Sequence, residues 1–117
     1  RLAVFNLFTH NRDDHAKNFS FMLDEKNSWK LTPAYDLTFS YGVGTEHSTT
    51  YLNEGKNPNI NHLEKLALKH GIKEYKQIIE EVKSAISEFS NLEKDVELSK
   101  NETVNLGKIF NGLIGKN

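Results

Sequence analysis

Between Asn18 and Asp36 the chain reads as a strand, a turn and a returning strand, and this stretch limits the possible folds more than any other. Phe19, Phe21 and Leu23 alternate with Ser20 and Met22, the two-residue period of a short strand. Asp24 to Ser28 is a polar turn. Trp29 and Leu31 begin a second strand, which Pro33 ends because proline lacks the N–H that a ladder needs. Paired strands lie about 5 Å apart, so the open ends of such a hairpin must be neighbours. Asn18 enters one strand and Asp36 follows the other. Although eighteen residues separate them in sequence, the hairpin predicts that they meet in space.

The residues at those two ends carry chemistry. Asn11-Arg12-Asp13-Asp14-His15-Ala16-Lys17-Asn18 sets Asp13 and Asn18 in a D-x-x-x-x-N spacing, and Asp36 adds a second acid. Kinase-type phosphotransferases need these groups: one carboxylate to orient and deprotonate an acceptor hydroxyl, and an amide and a carboxylate to hold Mg²⁺ on ATP. Asp13 fits the first role, and Asn18 and Asp36 the second. One carboxylate and one neutral oxygen is a sparse ligand set, which suits an ion that keeps phosphate oxygens and water. Asp14 competes for the role of base, but its separation from Asn18 is one residue short, so Asp13 is preferred. Lys17 reads either as a group that neutralises phosphate charge or as a solvated loop lysine. His10 reads as a hydrogen-bonded structural histidine. A transition-metal site from His10, Asp13, Asp14 and His15 is disfavoured, because HD-type phosphohydrolases place His before Asp and here Asp14 precedes His15. Asp and Asn also occur in loops simply because they cap turns.

The rest of the chain reads as mainly helical. Apolar groups in residues 1–9 have helical spacing. Residues 40–60 are irregular, with one strand expected near Thr49 to Leu52. Asn61 with Glu64 suggests a capping box, followed by a short helix carrying Leu63, Leu66 and Ala67 and closed by Gly71. Tyr75, Ile78, Ile79, Val82, Ile86 and Phe89 share one face of a helix of about five turns. Ser99 with Glu102 suggests another cap, and Leu106, Ile109, Phe110 and Leu113 line a last helix. The stripes over residues 73–114 read as core. Trp29 and Tyr35 are expected to pack and fix the hairpin. His47, His62 and His70 have no partner that the sequence identifies. The hydroxyls of Ser40, Thr45, Ser48, Thr49 and Thr50 follow the second acid, where kinases keep regulatory sites.

Composition removes several alternatives. The 117 residues make one domain or a piece of one, and a 37 % hydrophobic content with seven Phe can form a core. A formal charge of −1 gives no general attraction to nucleic acid or anionic membrane. Absence of cysteine excludes disulfides and thiolate metal sites. No apolar run is long enough to span a bilayer, and no signal peptide is evident. Arg1 is not Met and a helix is already in progress there, which suggests the C-terminal part of a longer protein.

Asn11 through Ser20, taken with Trp29-Lys30-Leu31-Thr32-Pro33-Ala34-Tyr35-Asp36-Leu37, resembles the C-terminal lobe of the HipA-like serine/threonine kinases, the toxins of bacterial toxin–antitoxin modules. The resemblance is firm over residues 1–40 and looser beyond. It implies a kinase-like lobe, mainly α, with a small β-hairpin beside the catalytic loop, over residues 1–117. It implies Asp13 as catalytic acid/base, and Asn18 and Asp36 as magnesium ligands. Asp13-Asp14-His15-Ala16-Lys17-Asn18 is also similar to the D-x-H-x-x-N loop of phosphoinositide-type kinases, which implies a supporting catalytic role for His15 beside Lys17. Further implications are a cytoplasmic enzyme that phosphorylates protein hydroxyls, in some members those of aminoacyl-tRNA synthetases. The implied partner is a helix-turn-helix antitoxin, through which DNA is contacted only indirectly. No glycine-rich phosphate loop occurs here, so residues 1–117 alone are expected to bind Mg-ATP poorly and to be inactive. Aminoglycoside-type kinases usually place His two residues before the loop Asp; here His10 lies three before Asp13. A non-catalytic module that holds an antitoxin or another subunit is the competitor from a different class.

Overall fold

The computed structural model describes residues 1–94 and 98–115. The apolar stripes expected over residues 73–114 therefore include three positions, 95–97, that lie outside the described residues. Among those described there are four α-helices and one two-stranded antiparallel sheet. Helix α1 (Leu2–Phe8) buries Val4, Leu7 and Phe8, the i, i+3, i+4 positions of one face. It ends where Thr9 Oγ donates 2.8 Å back to the Phe5 carbonyl and His10 takes a positive φ of 56°. Strands β1 (Phe21–Leu23) and β2 (Trp29–Leu31) pair Phe21 with Leu31 and Leu23 with Trp29. The turn between them is built by Asp24, whose Oδ1 accepts from the backbone N–H groups of Lys26 and Ser28, both at 2.9 Å. Its Oδ2 meets Lys30 Nζ at 2.7 Å across the hairpin.

Helices α2 (Ile60–Lys69), α3 (Tyr75–Ser87) and α4 (Lys100–Gly115) make the helical body. α1 packs against α3 and α4, and α2 against α3. The core joins Val4, Leu7 and Phe8 to Leu63, Ile79, Ile86 and Phe110, with Tyr51 supplied by the irregular segment. Full burial of each such side chain contributes about 1.5–3 kcal/mol, so this cluster sets the stability of the whole body. The expected Ser99–Glu102 cap is present, with the Ser99 N–H 3.0 Å from Glu102 Oε2 and the Glu102 N–H 3.3 Å from Ser99 Oγ. Among the described residues no helix is long and apolar enough to cross a membrane.

Four local expectations are corrected. The α2 capping box is Asn59 with His62, two residues before the expected Asn61 and Glu64. Pro58 precedes that cap, and His62 Nδ1 accepts the Asn59 N–H at 3.2 Å, a role that favoured neither Glu nor Gln here. Glu64 instead accepts from the Tyr75 hydroxyl and links α2 to α3. No strand forms at Thr49 to Leu52. Tyr51 and Glu54 exchange both backbone hydrogen bonds, at 2.8 and 3.2 Å, around a two-residue turn in which Leu52 and Asn53 both have positive φ. α3 stops at Ser87 and the chain continues as a 3-10 helix over Glu88–Lys94, so the stripe ending in Phe89 spans two kinds of helix. Trp29 does not pack: it is 72 % exposed, and Phe21, Met22, Leu23 and Leu31 are exposed with it.

Candidate active site

The loop from His10 to Asn18 is held between α1 and the irregular segment of residues 40–55. Asn11 pairs in parallel with Ser40, and the Asn11 N–H donates 2.9 Å to the Asn6 carbonyl at the end of α1. The Arg12 carbonyl accepts from the Ser48 N–H at 3.1 Å and from its hydroxyl at 3.2 Å. Arg12 itself reaches over the segment and donates to the carbonyls of Thr45 and Lys56. A loop of polar residues thus acquires a fixed shape because most of its carbonyls, those of His10, Arg12, Asp13, Asp14 and Lys17 among them, accept hydrogen bonds.

The adjacent acids are separated by environment. Asp14 is 2 % exposed. Its Oδ2 lies 2.9 Å from His47 Nδ1, and its Oδ1 accepts the Thr49 N–H at 3.0 Å. The Thr49 hydroxyl donates to the Asp14 carbonyl. Tyr51 stacks edge-on against His47, with ring centroids 5.2 Å apart, and donates 2.9 Å to the Ala3 carbonyl. Burial pushes the Tyr51 phenol well above the usual tyrosine range, and the Asp14 charge adds to this. Asp13 is different: its side chain is half exposed, and its Oδ1 sits 3.6 Å from His15 Nε2, an electrostatic contact beyond hydrogen-bond length. His15 Nδ1 is buried without a hydrogen-bond partner among the described residues.

Asn18 closes the loop. It ends a single 3-10 turn, Ala16–Asn18, and its Nδ2 donates 2.9 Å to the Asp13 carbonyl. That bond fixes the amide orientation and leaves Oδ1 free to meet a hard cation. Lys17 is exposed on the same turn. The hairpin then returns the chain as the sequence predicts. The Thr32 N–H donates 2.9 Å to the Ser20 carbonyl, one pair beyond the strands. The Tyr35 hydroxyl donates 2.8 Å to the Lys17 carbonyl and lies 2.6 Å from Ser20 Oγ. Tyr35 thereby fastens the residue before Asp36 to the residue before Asn18. Asp36 has a positive φ of 53°, and its carboxylate has neither a hydrogen bond nor an ion pair among the described residues. The oxygen donors of Asn18 and Asp36 fit the sparse set that Mg²⁺ takes alongside phosphate oxygens. Clusters of three or more His, Asp or Glu able to hold a metal are absent among the described residues.

His10 Nδ1 lies 3.2 Å from the Ser40 carbonyl, and its ring packs between Phe39 and Tyr41. His47 is the residue that the sequence does not disclose. Its partner Asp14 lies thirty-three positions away, and nothing local marks the pair. The irregular segment itself was the available signal, since a polar stretch that folds must anchor its backbone somewhere.

A sequence model of the HipA-like C-terminal domain matches residues 1–89. The match includes the loop, the hairpin and helices α1 to α3, and stops before α4. Comparisons with curated proteins and with solved structures return no match. Because that domain accounts for 89 of the 117 residues and contains every residue of the candidate site, the chain belongs to the HipA-like C-terminal domain family.

Proposed function

We propose that this chain is the catalytic lobe of an ATP- and Mg²⁺-dependent protein serine/threonine kinase of the toxin–antitoxin kind, with a kinase-like lobe architecture. The observation that carries the reading is the division of labour in the loop: Asp13 open to solvent, Asp14 locked beneath it, and the Asn18 amide turned so that its oxygen is free. Asp13 accepts the proton of the attacking protein hydroxyl and orients it in line. Its carboxylate keeps one oxygen clear of His15 for that purpose. His15 supports the Asp13 carboxylate from 3.6 Å, and the exposed Lys17 meets phosphate charge. Asn18 and Asp36 would hold Mg²⁺, which when bound neutralises charge on the ATP phosphates. The nucleotide lobe, the phosphorylated protein (an aminoacyl-tRNA synthetase, as in some HipA-like kinases) and a helix-turn-helix antitoxin complete the proposal, in a cytoplasmic setting.

The test is phosphate transfer from labelled ATP with Mg²⁺ by the natural gene product, beside Asp13→Asn and Asp36→Asn. Loss of at least about a hundredfold in rate is expected for the first variant, the usual weight of a positioned base. Full activity in both variants would overturn the assignment. By itself the 117-residue chain has no glycine-rich phosphate loop and is expected to show negligible transfer.

A second reading draws on the exposed apolar surface of the hairpin, where Phe21, Met22, Leu23, Trp29 and Leu31 all face solvent. Apolar exposure on this scale marks a surface for another protein. A folded gene product that binds its antitoxin but transfers no phosphate would favour a holding role for this lobe.

A further inference from the structure

A cavity of about 730 Å³ opens between α1, α3 and α4, behind the segment that follows Asp36. Its lining reaches down to the buried core residues Ile86 and Phe110. The rings of Phe39 and Phe89, which also line it, meet Phe110 edge-on, with centroids 6.2 and 5.1 Å apart. No charged side chain is among its described lining residues. Two hydroxyls face it, and both already donate to backbone: Thr9 Oγ1 to the Phe5 carbonyl at 2.8 Å and Thr38 Oγ1 to the Phe39 carbonyl at 3.3 Å. Neither hydroxyl proton is left for a ligand. On the solvent side the lining is Leu37, Leu92 and Leu98, each 37–44 % exposed.

These properties select the occupant. The volume falls in the range of small-molecule sites, about 300–1,000 Å³. An ordered buried water needs about two to four polar partners, which this interior does not supply. A nucleotide or a sugar would leave its polar groups unpaired there. Another folded protein would need about 800 Å² of contact surface on each partner, and three leucines at this exposure present far less. A hydrocarbon chain meets every condition. Its length buries against the aromatic and aliphatic lining, and a polar head stays in water at the leucine rim.

We propose that this cavity binds the hydrocarbon chain of a small amphiphile. The proposal goes beyond the kinase reading and does not depend on it. It bears on the candidate site all the same. Leu37, Thr38 and Phe39 are the three residues after Asp36, and all three line the cavity. The Phe39 ring also packs 5.6 Å from that of His10, where the loop carrying Asp13 begins. A bound chain therefore packs against the residues that adjoin both halves of the site.

The test is titration of the 117-residue chain with 1-decanol, a neutral unbranched probe, followed through side-chain methyl resonances. Those of Ile86, Leu98 and Leu106 are expected to shift and saturate with one affinity, while those of Leu23 and Leu31 on the exposed hairpin stay in place. Ala85 lines the cavity yet is exposed on α3, so Ala85→Trp fills the space from its rim. That variant is expected to weaken binding at least about tenfold. If Ala85→Trp lowers the melting temperature, Leu98→Asp replaces it and is judged by the same criterion. Shifts that never saturate, equal shifts at the hairpin leucines, or undiminished affinity in the folded variant would overturn the site.

Discussion

Asp14 Oδ2 and His47 Nδ1 lie 2.9 Å apart with both side chains 2 % accessible, while Asp13, one residue earlier, keeps half of its side chain in solvent. Neighbouring carboxylates therefore carry opposite duties, one structural and one open to chemistry. Removing the buried member strands His47 and the Thr49 N–H, so Asp14→Ala is expected to destabilise the chain by about 3–5 kcal/mol. Asp13→Asn, at an exposed position, is expected to change stability by no more than about 0.5 kcal/mol. Chemical denaturation of the two variants measures both, and equal losses would show that the division is wrong.

The Tyr35 hydroxyl bridges the Lys17 carbonyl and Ser20 Oγ, and this bridge ties the residue before Asp36 to the residue before Asn18. Tyr35→Phe removes both bonds while keeping the ring, for an expected cost of about 0.5–1.5 kcal/mol. The larger effect is expected on the proposed Mg²⁺ site. Mn²⁺, used as a paramagnetic probe, should broaden the Asn18 and Asp36 amide signals together in the unaltered chain. In Tyr35→Phe it should do so only at higher concentration. Unchanged Mn²⁺ affinity would mean that Asp36 is positioned by something other than Tyr35.

The sequence showed its local structure well and its long-range pairing poorly. The α1 stripe, the hairpin and the Ser99–Glu102 cap were legible because each depends on residues a few positions apart. The return of the chain that ties Tyr35 to Lys17 was legible because a hairpin converts sequence separation into a known geometry. Asp14 and His47 were not, since a buried hydrogen-bonded pair closed over thirty-three residues leaves no periodicity. The turn at Leu52-Asn53 was missed for a related reason: leucine rarely takes positive φ, and only the pairing of Tyr51 with Glu54 makes it do so. Trp29 was misread because an aromatic in a strand suggests packing, whereas this hairpin stands out from the body.

Gly42 and Gly44 look alike in sequence, and both take positive φ, 70° and 68°. Their surroundings differ. A Cβ on Gly42 would sit 2.2 Å from the Glu46 carbonyl oxygen and 2.8 Å from Arg12 Cβ, whereas one on Gly44 would meet open space. Gly44→Ala is expected to cost about 1 kcal/mol from backbone conformation alone. Gly42→Ala adds a steric clash with backbone and is expected to cost about 2–4 kcal/mol. Thermal denaturation of the pair checks the order, and a Gly44→Ala loss equal to that of Gly42→Ala would refute it.

Acid is expected to act in two stages. The His10 imidazole titrates below its ordinary value of 6.5, because burial and then the Arg12 charge oppose its protonation. Between those two values the unfolded chain binds more protons than the folded one, so stability falls as pH drops from 6.5 through the lowered folded value, and this contribution is fully present only above 6.5. Carboxylates follow at lower pH. Arg1 holds Glu81 down, Ser99 holds Glu102, the backbone N–H groups of Asn57 and Lys56 hold Glu54, and Lys30 holds Asp24. Each contributes stability above its unfolded value, 4.5 for Glu and 3.8 for Asp, and loses it as pH falls through the folded one. Denaturation midpoints followed downward from neutral pH should therefore show an early decline and a steeper late one. His10→Asn, which suits the positive φ at that position, is expected to reduce the early decline and leave the late one intact. If the early slope keeps its full size in that variant, His10 is not the group that senses the first stage.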